Sequence, residues 1–264
     1  MLGVRVALNL VRKLLELFGL EIRRQTPKDR VFALMASLWP WNSQFELERV
    51  GGSGDGTYLI PKCISGEEIL ISPGVGNTAS FEIDLFQKYG VPAILLDRSV
   101  EAPKNLPETF IFERKWLNSY DDESNASLEG LMGQISPHKK VLVQMDIEGS
   151  EYSILRSTRI ETFERIKLLV IEFHHLSYWK NLIYFENNVE PAIKRVLDYY
   201  YPVHIKQNSA VKTFKFGTYT FADAIEVTFL AKTEMIPRGR VSSLPHTLDV
   251  LNSGNGKLLN FPRL

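Results

Sequence analysis

Residues 67–97, EEILISPGVGNTASFEIDLFQKYGVPAILLD, restrict the fold more than any other stretch of this chain. The apolar run Ile69-Leu70-Ile71 stops at Ser72-Pro73, and a glycine turn, Gly74-Val75-Gly76, follows. Ala79, Phe81, Ile83, Leu85 and Phe86 then suit one helix, and a second apolar run, Ala93 to Leu96, ends at Asp97. Strand, glycine turn, helix, strand, acid is the order of a βαβ unit for a nucleotide-like ligand. Glycines let the backbone approach such a ligand, and the helix N-terminus offers unpaired N–H groups. A carboxylate ending the second strand can accept both ribose hydroxyls. Asp97 follows Gly76 by 21 positions, near the expected spacing of about 20. A glycine turn alone also serves packing; the flanking strands and the acid make this one a ligand site.

The rest of the chain continues the alternation. Tyr58-Leu59-Ile60 is a short strand stopped by Pro61, after a glycine loop that holds Asp55. Phe110-Ile111-Phe112 reads as a third main strand. The polar tract 118–130 is a loop leading into a helix over 125–135. Val141 to Met145 is a fourth strand ending at Asp146, with a helix over 151–157 after it. Leu168 to Ile171 is a fifth strand, a helix covers 187–201, and strands follow at 203–205 and 225–230. Such alternation means a largely parallel sheet with helices on both faces. Specificity is expected in loops and appended segments at 31–60, 176–190 and 209–222. Their aromatics Trp39, Trp41, Tyr178, Trp179, Tyr184, Phe214, Phe216 and Tyr219 either stack on a sugar ring or fill the core. The tail 236–264 wraps the body or frays.

The 264 residues allow one α/β domain, or one plus a small appendage. Three segments are expected: a helical extension over 1–47, the main domain over 48–235 and the tail. Lys+Arg and Asp+Glu balance at 31 each, so no long-range field favours a nucleic-acid partner. The single cysteine, Cys63, excludes an internal disulfide and a cysteine-based zinc site, and fits a cytoplasmic protein. Residues 1–20 carry Val4, Ala7, Val11, Leu14, Leu15 and Phe18 at helical spacing. Charges interrupt this run too often for a membrane span, and it lacks the apolar core of a signal peptide. It is expected to pack on the body or on a dimer partner, the alternative being peripheral contact with a membrane surface.

Ligands of open α/β sheets bind beyond the carboxyl ends of the strands. The polar residues expected there are Ser72, Asp97, Asp146 with Glu148, Glu172 with His174, and His204, joined by Glu226 if the last strand is antiparallel. Glu172 and His174 point the same way on an extended strand. An unperturbed histidine, with a pKa of about 6.5, suits proton abstraction at neutral pH. Asp146, Glu172 and His174 are also candidate ligands for a divalent metal. Glu151 reads as a helix N-cap.

The run VLVQMDIEGSEYSIL resembles the signature of the FkbM-type S-adenosylmethionine-dependent methyltransferases, which read close to K-x-D-I-E-G-x-E there. GDGTYLIP, GVGNTASFE, LLVIEFHHL and DAIEVTFLAK agree with the same family, so the resemblance covers residues 48–232. It implies a Rossmann-like seven-stranded methyltransferase fold, mostly parallel with the last strand antiparallel. It also implies O-methylation of a sugar, glycan or secondary-metabolite hydroxyl. Carried over by position, Gly74 and Gly76 match the turn against the cofactor's methionine part, and Asp97 the ribose acid. Asp146 matches the acid beside the transferred methyl, and Glu172 with His174 the family's Glu-x-His. Ser72 and Glu82 join the cofactor side, and the catalytic candidates are Asp146, Glu148, His174 and His204. Ser72 stands where many methyltransferases have an acid. Where the family reads His-x-His-x-Asn-Asn, this chain has Lys206 at the second histidine, which suggests an anionic acceptor. Gly74 to Ala79 also fits the Gly-x-Gly-x-x-Ala dinucleotide pattern, so an NAD(P)-dependent oxidoreductase is the alternative activity. A catalytically silent binding module is a third possibility.

Overall fold

The computed structural model describes residues 24–254 and 257–264, so the expected helix over 1–20 lies outside the described residues. Helix α1 (Lys28–Ser37) buries Val31, Leu34 and Met35, which share one helical face. Strands β1 (Leu47–Val50) and β2 (Tyr58–Pro61) form an antiparallel ribbon. The opening unit follows as expected: β3 (Ile69–Pro73), α2 (Ser80–Tyr89) and β4 (Ala93–Leu96). Gly90 ends α2 in the left-handed conformation, φ 71°.

Beyond it come β5 (Ile111–Glu113), the short pair β6 (Trp116–Leu117) and β7 (Asn125–Ala126), and α3 (Leu128–Gly133). The Ser127 side chain caps α3 by accepting from the Gly130 N–H. Strand β8 (Val141–Met145), helices α4 (Glu151–Ser157) and α5 (Ile160–Arg165) and strand β9 (Ile166–Phe173) come next. Helix α6 (Glu190–Tyr199), β10 (Tyr200–Gln207), the hairpin β11 (Thr213–Phe216) and β12 (Tyr219–Ala222), and β13 (Ile225–Ala231) complete the body.

Seven strands form one sheet in the order β10-β13-β9-β8-β3-β4-β5, with only β13 antiparallel to its neighbours. This is the Rossmann-like methyltransferase order. Successive residues of β3 and β8 enter opposite cores: Leu70 and Leu142 pack on one face, Ile71 and Val143 on the other. Helices cover both faces, and every residue of β8 is therefore buried. The chain leaves β3 toward β4 and leaves β8 toward β9, so a crevice opens past Pro73 and Met145.

Two expected loops are structured. Residues 213–222 form the β11–β12 hairpin around Gly217 (φ 61°), because Phe216 and Phe221 are buried. Residues 176–189 are a short 3-10 helix (Leu176–Lys180), a helical turn (Leu182–Tyr184) and a π stretch (Phe185–Val189) that runs into α6. Trp179 fills the core there beside Phe185, which removes Trp179 as a ring-stacking surface. The tail wraps the body: Phe261 is buried, and the Asn260 carbonyl accepts from Gln207 Nε2 at 2.9 Å. Among the described residues no helix is long and apolar enough to cross a membrane.

Candidate active site

A cavity of about 660 Å³ occupies the crevice beyond β3 and β8. Gly74, φ 82°, makes the corner, and its N–H donates to the Leu96 carbonyl at 2.8 Å. A Cβ there would lie 1.6 Å from the Asp146 carbonyl oxygen, so only glycine lets the two strand ends close together. Gly76, φ 62°, faces open space, and its N–H donates to Asp97 Oδ2 at 3.0 Å. The other Asp97 oxygen accepts from the Ser99 N–H at 2.8 Å and the Ser99 hydroxyl at 2.7 Å. Asp97 is thus held rigidly on the cavity wall at the end of β4. No side chain caps the N-terminus of α2, which leaves first-turn N–H groups for a ligand.

Below the glycine corner a buried polar chain runs through Glu82, Ser72, Gln144 and Tyr58. The Ser72 hydroxyl lies within reach of both Glu82 Oε1 and Gln144 Oε1, the latter at 2.7 Å, and Gln144 Nε2 donates to the Tyr58 hydroxyl at 3.1 Å. One hydroxyl proton cannot serve two acceptors. The chain is satisfied when Glu82 is protonated and donates to Ser72. Burial pushes Glu82 from its ordinary 4.5 to about 6, consistent with that.

At the other end of the cavity stands a cluster of acids around one imidazole. Pairing of β10, β13 and β9 sets Lys206 opposite Glu226 and Glu226 opposite Glu172, in one row across the sheet. Asp146, one residue past the Met145–Ile171 pair, continues that row. His174 Nε2 lies 3.5 Å from Asp146 Oδ1, 3.6 Å from Glu148 Oε2 and 3.6 Å from Glu172 Oε1. His174 Nδ1 lies 2.9 Å from Glu151 Oε1. Burial works against charge on His174. The Glu151 hydrogen bond, with the charges of Glu151, Glu172 and Asp146, outweighs it and raises the imidazole to about 9. Burial raises Asp146 from 3.8 to about 7, partly offset by His174. Burial, then the charges of Glu226 and Asp146, push Glu172 well above the usual carboxylate range.

The FkbM methyltransferase domain matches residues 66–205, more than half of the chain, from just before β3 into β10. The chain belongs to the FkbM methyltransferase family. No curated protein matches the sequence. Among solved structures, M. capricolum TrmK in complex with S-adenosyl-homocysteine is 11% identical with a TM-score of 0.34. That match covers 65% of this chain and 65% of TrmK, so just under two thirds of TrmK is spanned. A structure described for the conversion of a disulfide bond into a thioacetal group during echinomycin biosynthesis is 11% identical, with a TM-score of 0.33. Its match covers 62% of this chain and 76% of that one.

In this member of the FkbM methyltransferase family the cavity wall gathers Gly74, Gly76, Glu82, Asp97, Asp146 and Glu148. Ser72 lies beneath, bonded to Glu82, so a carboxylate from α2 reaches the place that Ser72 leaves without one. His174 and Glu172 stand behind Asp146 and Glu148. His204 does not belong to this set, contrary to its expected role as a base. Strand β10 runs on to Gln207, so His204 is not at a strand end, and its Nε2 faces Asp249 Oδ1 of the tail at 3.0 Å. The expectation that Lys206 serves an anionic acceptor is also corrected, because its ammonium is buried and neutralised by Glu226 at 3.0 Å.

Sequence reasoning missed three contributors. Glu151 is fully buried and its Oε1 also accepts from the Ile147 and Gly149 N–H groups, at 3.2 and 3.1 Å. Asp55, in the glycine loop, lies on the cavity wall. Asn252 of the tail donates to Glu226 at 2.5 Å and to Asp55 at 3.1 Å. The acid at the first turn of α4 was the available signal for Glu151; nothing local marks Asn252.

Proposed function

We propose that this FkbM methyltransferase uses S-adenosylmethionine to methylate a hydroxyl oxygen of a sugar, glycan or secondary metabolite. The observation that carries this is the placement of Asp97 and Asp146 on one cavity, at the carboxyl ends of β4 and β8 with the Gly74 corner between those strands. The residues present fit such a cofactor. Gly76 opens onto space with no atom within 4 Å of a built Cβ, and Asp97 offers a carboxylate to ribose hydroxyls. When bound, S-adenosylmethionine supplies a sulfonium methyl to an oxygen nucleophile, and the S–C bonding pair stays on sulfur.

The chain's own residues have two tasks. Asp97 and the glycine turn fix one end of the cofactor, and the loop after β8 holds Asp146 and Glu148 where an acceptor hydroxyl is aligned. The hydroxyl proton passes into the carboxylate–imidazole cluster. A cluster this rich in acid favours a neutral acceptor, such as a polyol or sugar ring, over an anion.

Calorimetric titration of the chain with S-adenosylmethionine, S-adenosylhomocysteine and NAD+ tests the proposal. The two sulfur nucleosides are expected to bind in the micromolar range and NAD+ not at all. Binding of NAD+ with no response to either nucleoside would overturn it in favour of an oxidoreductase.

A further inference from the structure

We propose that Asp146, Glu148 and His174, with Glu172 beside them, bind one divalent cation at the acceptor end of the cavity. His174 Nε2 faces three carboxylate oxygens at nearly one distance, 3.5, 3.6 and 3.6 Å, each too long for a good hydrogen bond. Ligand atoms bound at about 2.1 Å to one cation, at angles of roughly 90–109°, lie about 3.0–3.4 Å apart. The carboxylate distances to Nε2 are thus within a few tenths of an ångström of ligand spacing, and Asp146, Glu148 and His174 each offer an atom within 4.8 Å of the others.

A second observation points the same way. His174 is 8% exposed, yet its Nε2 makes no hydrogen bond among the described residues. Asp146 Oδ1 is buried and likewise has no hydrogen-bond partner. Buried polar atoms are almost always satisfied, so the unsatisfied Asp146 Oδ1, 3.5 Å from an imidazole nitrogen that itself makes no hydrogen bond, marks the place of a ligand.

The surroundings are those of a metal-binding imidazole. Glu151 holds Nδ1 at 2.9 Å, which turns Nε2 toward Asp146, Glu148 and Glu172. Glu148 adopts a left-handed backbone, φ 54°, unusual for a residue other than glycine, and this returns its carboxylate over His174. Carboxylates with one imidazole select a hard to borderline ion of the Mg²⁺ and Mn²⁺ class. The site stands on its own geometry. Its use rests on methyl transfer, where the cation would bind the acceptor oxygen and polarise its hydroxyl.

Mn²⁺ is the probe, added to the chelator-treated full chain and followed by loss of the free-ion electron paramagnetic resonance signal and by calorimetry. One Mn²⁺ per chain is expected, and His174→Ala is expected to weaken binding by at least about tenfold. Glu148→Gln should weaken it as well, and this side chain is 86% exposed, so that variant tests the site without endangering the fold. No Mn²⁺ binding below millimolar concentration, or binding that survives both substitutions, overturns the proposal. S-adenosylhomocysteine titrated into the same sample keeps the two questions apart. Nucleoside binding without Mn²⁺ binding removes the cation site alone. Mn²⁺ binding without nucleoside binding leaves the site and removes the methyl-transfer role.

Discussion

Glu151 Oε1 lies 2.9 Å from His174 Nδ1 and is shared with the N–H groups of Ile147 and Gly149. One carboxylate, fully buried at the start of α4, thus ties the loop after β8 to the end of β9. Its removal leaves the buried His174 Nδ1 and two part-buried N–H groups without their acceptor. Glu151→Ala is expected to cost about 3–5 kcal/mol of stability in urea denaturation. Glu151→Gln keeps an acceptor for the loop and should cost about half as much. It should also weaken Mn²⁺ binding about tenfold, which a purely structural role would not require. A loss below about 1 kcal/mol for the alanine variant would show that the hydrogen bonds are not those of a buried charge.

Gly74 and Gly76 separate two roles of glycine in one turn. Both have positive φ, 82° and 62°, but a Cβ at Gly74 strikes the Asp146 carbonyl at 1.6 Å whereas one at Gly76 meets nothing within 4 Å. Gly76→Ala should therefore cost only the left-handed penalty, roughly 1–2 kcal/mol. Gly74→Ala must force β3 and β8 apart and is expected to cost more than about 3 kcal/mol and to abolish nucleoside binding. Thermal melting with S-adenosylhomocysteine titration checks both, and equal effects at the two positions would contradict the packing at the corner.

Asp97 carries the assignment of the cofactor's ribose. Two hydrogen bonds from ribose hydroxyls to a charged acceptor are together worth about 3 kcal/mol or more. Asp97→Ala is accordingly expected to lower S-adenosylhomocysteine affinity at least about a hundredfold by calorimetry. Undiminished affinity would remove Asp97 from the site.

The part of this site that a reader can take from the sequence is the part held together locally. β3, α2 and β4 each show their own periodicity, and Asp97 closes the unit within 21 positions of Gly76. The acid–imidazole cluster was legible as types at strand ends, but its organiser was not. Glu151 has a sufficient local explanation as a first-turn acid, while its partner is 23 residues away on another strand. His204 misled because its apolar neighbours suggest a strand ending at Ile205, whereas pairing with β13 carries β10 to Gln207. Asp249, which takes His204, and Asn252, which bridges Glu226 and Asp55, lie in a tail whose pattern gives no sign of where it docks.

Glu82 gives the site a pH signature. Its pKa is about 6 in the folded chain against 4.5 ordinarily, so the folded chain holds this proton more tightly than the unfolded one. Stability from this group is full below pH 4.5 and is lost as pH rises to about 6, by roughly 2 kcal/mol. Glu82→Gln cannot ionise. The stability difference between variant and wild type should shift by about that amount in the variant's favour between pH 4 and pH 7, measured by urea denaturation. A difference that stays constant over this range would mean that Glu82 is not the titrating group.

Lys206 and Glu226 form a buried pair, Nζ to Oε2 at 3.0 Å, with each side chain only 4% exposed. Burial of two charges is costly, so the pair's contribution cannot be taken from its distance. Breaking one side is different: Lys206→Met leaves Glu226 beside Glu172 with no cation opposite it on β10. The loss should be about 3–5 kcal/mol. Glu226→Gln in the same chain removes the stranded charge and keeps an acceptor for Asn252. The double variant is therefore expected to recover more than half of that loss, giving a coupling energy of about 2 kcal/mol in a double-mutant cycle. Additive losses at the two positions would show that Lys206 is held by its contact with the tail, through the Val250 carbonyl at 3.4 Å, and not by Glu226.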